Sequence, residues 1–317
     1  MDKTYDIVGR RKIYYIISLS IVAVTLIVSF IFGIEVAIDF KGGTMISYSY
    51  VGEIDTDKIE KVASDVVGED VKSATGESFK DNTKYVELSF TSKEGLTTEL
   101  KNALTDKLNS EFNDNSLSLL STNDVKPSIG KTFFYKCLVS IIFASVLLII
   151  YVGARFKRIN GLSAGVMAII ALLHDVFVAF ATFVIFRIPL DANFMAVALT
   201  ILGFSINDTI VIYDRIRENK KLMPKNTTID ELVNTSINQS MTRSINTSVA
   251  AIMVMIVVSI VAFVYNVTSI LSFSFPLIIG LISGVYSTIC IAGPLWVDWN
   301  HFVEKKNKGK GRKKSKK

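Results

Sequence analysis

The run IYYIISLSIVAVTLIVSFIFGI, Ile13–Ile34, contains no charged residue, and at about 1.5 Å per residue it can span a hydrocarbon core of roughly 30 Å. It is expected to cross a membrane as a helix. Arg10, Arg11 and Lys12 precede it, as basic residues precede a cleaved signal peptide. The apolar stretch is too long for the core of such a peptide, however, and lacks a small-residue cleavage site. Five similar runs follow at about Thr132–Val152, Leu162–Phe186, Ala192–Tyr213, Ser244–Val267 and Ile270–Val297. Hydrophobic residues make up 50% of the 317-residue chain and concentrate in these runs. The reading is a polytopic α-helical membrane protein with six transmembrane helices.

Basic residues in the short loops set the expected orientation. Arg10, Arg11 and Lys12 precede the first span; Arg155, Lys157 and Arg158 follow the second; Arg215, Arg217, Lys220, Lys221 and Lys225 follow the fourth. The opposite short loops carry only Arg187. Positively charged loops stay on the cytoplasmic side, so both termini are expected there, in a multi-pass protein of the cell (plasma) membrane. The Lys-rich stretch Lys305–Lys317 fits that side, as a disordered, solvated topology signal or in contact with anionic membrane lipid or ribosomal RNA. A net charge of +6 therefore points to no specific nucleic acid. Cys137 and Cys290 lie in apolar runs and read as buried small hydrophobes, not as a disulfide or metal ligands.

Between the first two spans the composition becomes that of a soluble domain. Thr44–Tyr50 reads as a strand, Asp55–Val67 as a helix burying Ile59, Val62, Ala63 and Val66, and Val71–Thr75 and Tyr85–Phe90 as strands joined by a turn over Gly76–Asn82. Glu94–Phe112 reads as a second helix, with Leu96, Leu100, Leu104 and Leu108 at a spacing of four, and Leu117–Val125 as a last strand. The order βαββαβ predicts an extracytoplasmic α+β ferredoxin-like domain. With no metal-ligand spacing and no Ser-His-Asp set in it, a binding surface is expected rather than an enzyme, and neither cofactor nor metal is implied.

A charge within a membrane helix costs roughly 2.5–3.5 kcal/mol on insertion scales, so each one requires a reason. Asn207 and Asp208 lie about a turn and a half from the cytoplasmic end of the fourth span, and Arg243 enters from the same side at the start of the fifth, with Thr247 one turn deeper. An Asp208–Arg243 pair follows as a geometric expectation, as a static salt bridge or as a switch that loads and unloads a proton; the alternative is that both groups snorkel to the cytoplasmic interface. His174 and Asp175, midway along the third span, read as an interhelical anchor or an accessory relay. Asp39 reads as the outer mouth of a proton path or as a loop cap. Gly280, Gly284 and Ser287 suggest close helix packing.

Several segments together resemble one family. Ile38-Asp39-Phe40-Lys41-Gly42-Gly43-Thr44 is similar to the GIDFKGGT signature of the SecD/SecF translocase subunits, with Ala37 in place of its first glycine. Lys126-Pro127-Ser128-Ile129-Gly130 is similar to the entry to the family's next span. Leu173-His174-Asp175-Val176, Phe204–Asn219 and Ser236–Ser248 match further segments in order, the last as a short segment leading into the fifth span. By this resemblance the chain is identified as a member of the SecD/SecF family, on its SecF side and within the resistance-nodulation-division superfamily. The resemblance implies a non-enzymatic subunit of SecDF that uses the proton motive force to assist export of unfolded preprotein through the SecYEG channel after SecA-driven translocation. Residues matching Asp208 and Arg243 are linked to proton transport in that family. SecD would supply a further aspartate, and YidC or YajC would be additional partners.

The expected division is residues 1–34 as cytoplasmic N-terminus and first span, 35–131 as the extracytoplasmic domain, 132–300 as the remaining spans with their cytoplasmic loops, and 301–317 as a basic cytoplasmic tail.

Overall fold

The computed structural model describes residues 4–78, 83–91, 96–265 and 267–314. The chain opens with α1 (Arg11–Phe32) and a single turn α2 (Ile38–Lys41). It continues through β1 (Gly43–Tyr50), α3 (Thr56–Val67), β2 (Val71–Glu77), β3 (Lys84–Phe90), α4 (Thr98–Glu111) and β4 (Ser118–Val125). Long helices follow: α5 (Pro127–Arg155), α6 (Gly161–Ile185), α7 (Ala192–Leu222), α8 (Ile229–Val264), α9 (Thr268–Ser287) and α10 (Gly293–Lys314). Thr288–Ala292 forms a π-helical turn between α9 and α10. Pro294 has no N–H to offer and its ring crowds the carbonyl four residues back, and a widened turn just before it accommodates both.

Six helical segments among the described residues are long and apolar enough to cross a membrane, α9 and α10 together forming the last. Their side chains divide by position. α1, α5 and α8 turn large apolar groups outward, Phe30 being 93% exposed and Phe263 72% exposed. In water such a surface would be a liability, whereas in lipid it is the expected face. α6, α7 and α9 are mostly buried and form the middle of the bundle.

Two helices run well past their expected spans. α7 continues to Leu222, and α8 begins at Ile229, so the polar segment Ser236–Ser248 lies wholly within a helix. The Thr228 hydroxyl caps α8 by accepting from the Glu231 N–H. Leu232, Val233, Ser236, Ile237 and Ser240 recur at helical spacing on its buried side, and the Asn219 amide donates to Ser236 Oγ and Gln239 Oε1 across the two helices.

The insertion between α1 and α5 is a four-stranded antiparallel sheet in the order β2-β3-β1-β4. Ile46, Tyr48, Val86 and Leu88 pack against Ile59 and Ala63 of α3 and Leu104 and Leu108 of α4, all fully buried. Asp55 caps α3, accepting from the N–H groups of Asp57 and Lys58. Gly76 and Glu77, placed in the turn by the sequence reading, instead extend β2 opposite Tyr85 and Lys84. Residues 79–82 of that turn and 94–95 of the helix expected from Glu94 lie outside the described residues; Leu96 precedes α4 instead of forming part of it, since Thr97 caps the helix by accepting from the Leu100 N–H and the first turn begins at Thr98.

Glycine decides how the sheet joins the bundle. Gly42 has φ +82°, and a Cβ on Gly43 would lie 2.3 Å from the Phe90 carbonyl oxygen, so the turn from α2 into β1 needs both. The linker after α1 is held from the α6–α7 loop, where Arg187 donates to the carbonyls of Phe32 and Gly33 and Ala37 N–H donates to Leu190 O.

Candidate functional site

Two carboxylates sit inside the central trio of helices. Asp175 of α6 is fully buried. Its oxygens accept from the hydroxyls of Ser205 on α7 at 2.8 Å, Ser283 on α9 at 2.6 Å and Ser287 on α9 at 2.5 Å. His174 Nδ1 lies 3.3 Å from the same carboxylate, with its ring beside Tyr286. A charge or a proton at this depth is tolerable only with such partners.

Asp208 lies one turn beyond Ser205 on α7 and is 5% exposed. Its Oδ2 accepts from Ser248 Oγ on α8 at 2.8 Å. Close approach here depends on α9 glycines. A Cβ at Gly284 would lie 3.3 Å from the Ser205 Cβ, and one at Gly280 would lie 2.1 Å from Ile201 Cδ1. Ser205, Asp208, Ser248, Gly280 and Gly284 enclose a cavity of about 10 Å³, close to the least room one water molecule needs. Thr209 and Thr288 hydroxyls meet beside it at 3.2 Å.

The structure does not bring the other expected residues to Asp208. Arg243, Thr247 and Asn207 are exposed, and among the described residues no ion pair joins Arg243 to Asp208; Thr247 Oγ1 donates instead to the Arg243 carbonyl. Helix phase is the reason. Arg243 lies five residues before Ser248, about 7.5 Å along the axis and roughly 140° around it, so a helix that turns Ser248 toward Asp208 turns Arg243 elsewhere. Ser244, four residues from Ser248, takes the inward position and is buried with no hydrogen-bond partner among the described residues. Depth alone suggested the arginine; phase selects the serine.

Asp39 is in α2 at the sheet end of the bundle, half-buried. Burial pushes the Glu87 carboxyl of β3 above its ordinary value, and the nearby Asp39 charge pushes it further. Asp191, which caps α7 by accepting from Asn193 and Phe194 N–H groups, is raised by burial and by Asp39 against those bonds. No group of three or more His, Cys, Asp or Glu side chains able to hold a metal occurs among the described residues. Arg217 pairs with Asp214 at the opposite end, as its spacing of three suggests, and Arg155 lies 3.8 Å from the same carboxylate.

Ser205, Ser248 and Ser283 were not singled out by the sequence. Single serines in apolar helices carry little signal alone, but Ser283 and Ser287 are four apart on the small-residue face beside Gly280 and Gly284, and that face is where a buried carboxylate finds donors.

The family described as "Protein export membrane protein SecD/SecF, C-terminal" matches residues 105–301. A protein translocase subunit SecF from Alicyclobacillus acidocaldarius is 31% identical over 96% of both chains. One from Anaerolinea thermophila is 33% identical over 93% of this chain and 94% of its own. The SecDF subunit of Bacillus subtilis is 31% identical over 96% of this chain, which spans 39% of that longer protein. Among solved structures, a Thermus SecDF, described as a translocon-associated membrane protein, superposes with a TM-score of 0.76 at 25% identity, covering 95% of this chain and 39% of that one. A super-membrane-facing form of SecDF covers the whole chain and 41% of its own, with a TM-score of 0.67.

Proposed function

The chain belongs to the SecD/SecF family of protein export membrane proteins, as a SecF-type translocase subunit, and from that premise we propose that it couples proton movement to preprotein export. Asp208 is the proton-carrying group and Arg243 the cation that approaches or withdraws from it, with Asn207 and Thr247 flanking. The observation that carries this reading is the half-built site. Asp208 is buried against one serine, while Arg243, Asn207 and Thr247 stand exposed on the same two helices, α7 and α8, which this reading places in the membrane. Polar groups in that position require a protein neighbour, and SecD is that neighbour.

In this reading SecD covers the α7–α8 face, contributes an acidic group, and brings Arg243 into play through a shift of α8. Asp175 with His174 forms an accessory station nearer the sheet end, and Asp39 an entry. Relatives in which the two halves are one SecDF chain support the pairing. The βαββαβ order with strands β2-β3-β1-β4 supports a ferredoxin-like sandwich. We assign it to the extracytoplasmic side as residues 35–131, with both termini cytoplasmic, in the cell membrane. There it would bear on a polypeptide emerging from SecYEG after SecA has acted, with YidC or YajC as neighbours. Nothing in this reading requires a catalytic centre or cofactor.

The test is Asp208→Asn in the assembled complex with SecD, reading proton flux into vesicles and export driven by the proton motive force. Loss of both with intact assembly is expected; wild-type values for both would overturn the reading.

A further inference from the structure

The second feature of note lies on another side of the bundle. At the end opposite the sheet, α5, α6 and α10 leave a groove of about 650 Å³ between them, within the ~300–1,000 Å³ range of ligand sites. Its walls are of two kinds. Ile150, Leu162 and Val303 are apolar, whereas Lys157, Asn160 and Asn300 bring polar groups to the same opening, with Trp299 beside them. Lys157 is exposed, and no carboxylate lines the groove among the described residues.

Packing keeps the groove in shape. A Cβ on Gly161 would lie 2.5 Å from the Gly153 carbonyl oxygen, so α5 and α6 meet closely at glycine and diverge beyond it. Trp296 donates to Ser163 Oγ, which ties α10 to α6, and Asn300 donates to the Trp296 carbonyl one turn back within α10. Trp299 is 42% exposed and its ring lies 6.0 Å from that of Phe302; aromatic side chains of this kind mark the boundary between hydrocarbon and headgroups.

We propose that this groove is a binding site for an anionic glycerophospholipid of the leaflet at the basic-loop end, with an acyl chain along Ile150, Leu162 and Val303 and the headgroup phosphate at Lys157. Three observations select this occupant. The surrounding medium at the ends of membrane helices is lipid, the charged group in the lining is a cation, and apolar and polar groups share the one opening, as the two parts of a phospholipid require. The exposed polar residues assigned to a subunit contact lie on α7 and α8, whereas the groove is framed by α5, α6 and α10, so a neighbour on the first face leaves the second open. The site does not depend on the proton reading.

The full chain, co-purified with SecD and stripped of loosely held lipid, is offered phosphatidylglycerol or phosphatidylcholine, and retention is read by native mass spectrometry. Phosphatidylglycerol should be retained and phosphatidylcholine lost. Lys157→Gln should weaken phosphatidylglycerol retention roughly fivefold, the effect of one basic residue at an anionic surface. Ala154→Trp, at an exposed position on the groove wall, should block it while the circular dichroism spectrum and SecD binding persist. Equal retention of the two lipids, no effect of both variants, or retention that disappears whenever SecD is bound would each overturn the proposal, the last by making the groove a subunit contact.

Discussion

The Ser248 hydroxyl donates to the Asp208 carboxylate at 2.8 Å, joining α7 to α8 at a position where Asp208 is 5% exposed. A buried acceptor deprived of its donor costs about 1–3 kcal/mol. Ser248→Ala should therefore lower the melting temperature of the detergent-solubilised chain, and Ser248→Thr should lower it less. The decisive measurement is the double variant with Asp208→Leu. If the bond stabilises the fold, the double variant melts well above the temperature expected from adding the two single losses; strict additivity would refute it.

Asp175 carries a heavier structural role. Three serine hydroxyls from two other helices end on its two oxygens, so Asp175→Leu orphans three buried donors at once. At about 1–3 kcal/mol for each, and with hydroxyls free to turn toward backbone carbonyls, a net loss of at least ~3 kcal/mol is expected. Asp175→Asn retains one acceptor oxygen and should cost about half as much. Thermal melts of the two variants beside wild type provide the check, and equal melting points for all three would contradict the network.

The sequence disclosed the fold through period and length. Unbroken apolar runs gave the six spans because lipid leaves a helix no other partner for its backbone, and the alternation of Tyr85–Phe90 with the four-residue spacing of Leu96–Leu108 gave the sheet and one of its helices. It did not give the ends of α7 and α8, where a soluble helix pair prolongs the spans and apolarity stops marking the boundary. Asp208 was legible because a carboxylate in an apolar run is expensive. Its partner was not, since the choice between Arg243 and Ser248 rests on the rotation of α8, which packing against α7 and α9 decides.

Backbone conformation supplies a prediction at the entry to the sheet. Gly43→Ala places a Cβ 2.3 Å from the Phe90 carbonyl oxygen, which belongs to the strand paired with β1, so the ladder must open. Gly68, which ends α3 at φ +75°, has nothing within 4 Å of the same atom; its alanine variant meets only the left-handed strain of about 1–2 kcal/mol. Limited proteolysis of the full chain should cut the Gly43→Ala domain much faster than wild type and the Gly68→Ala domain only slightly faster. Equal rates for the two variants would count against the close approach.

Acid should loosen the same domain through Asp124. Its burial favours the neutral acid, but bonds from Thr44 Oγ1 at 2.6 Å and Lys101 Nζ at 3.0 Å, with the lysine charge, outweigh that and hold the carboxyl below its ordinary value of 3.8. The unfolded chain therefore takes up the proton first as pH falls. The contribution of Asp124 is complete above the unfolded value and is lost as pH drops through the lower folded one. Asp124 and Lys101 are partly exposed, so solvent screening keeps the effect small, a few degrees in melting temperature at most. Wild type should lose this increment between about pH 5 and about pH 2, whereas Asp124→Asn should lack it throughout and differ from wild type chiefly near neutrality. A constant gap between the two melting curves across that range would mean that the carboxylate is not held ionised by Thr44 and Lys101.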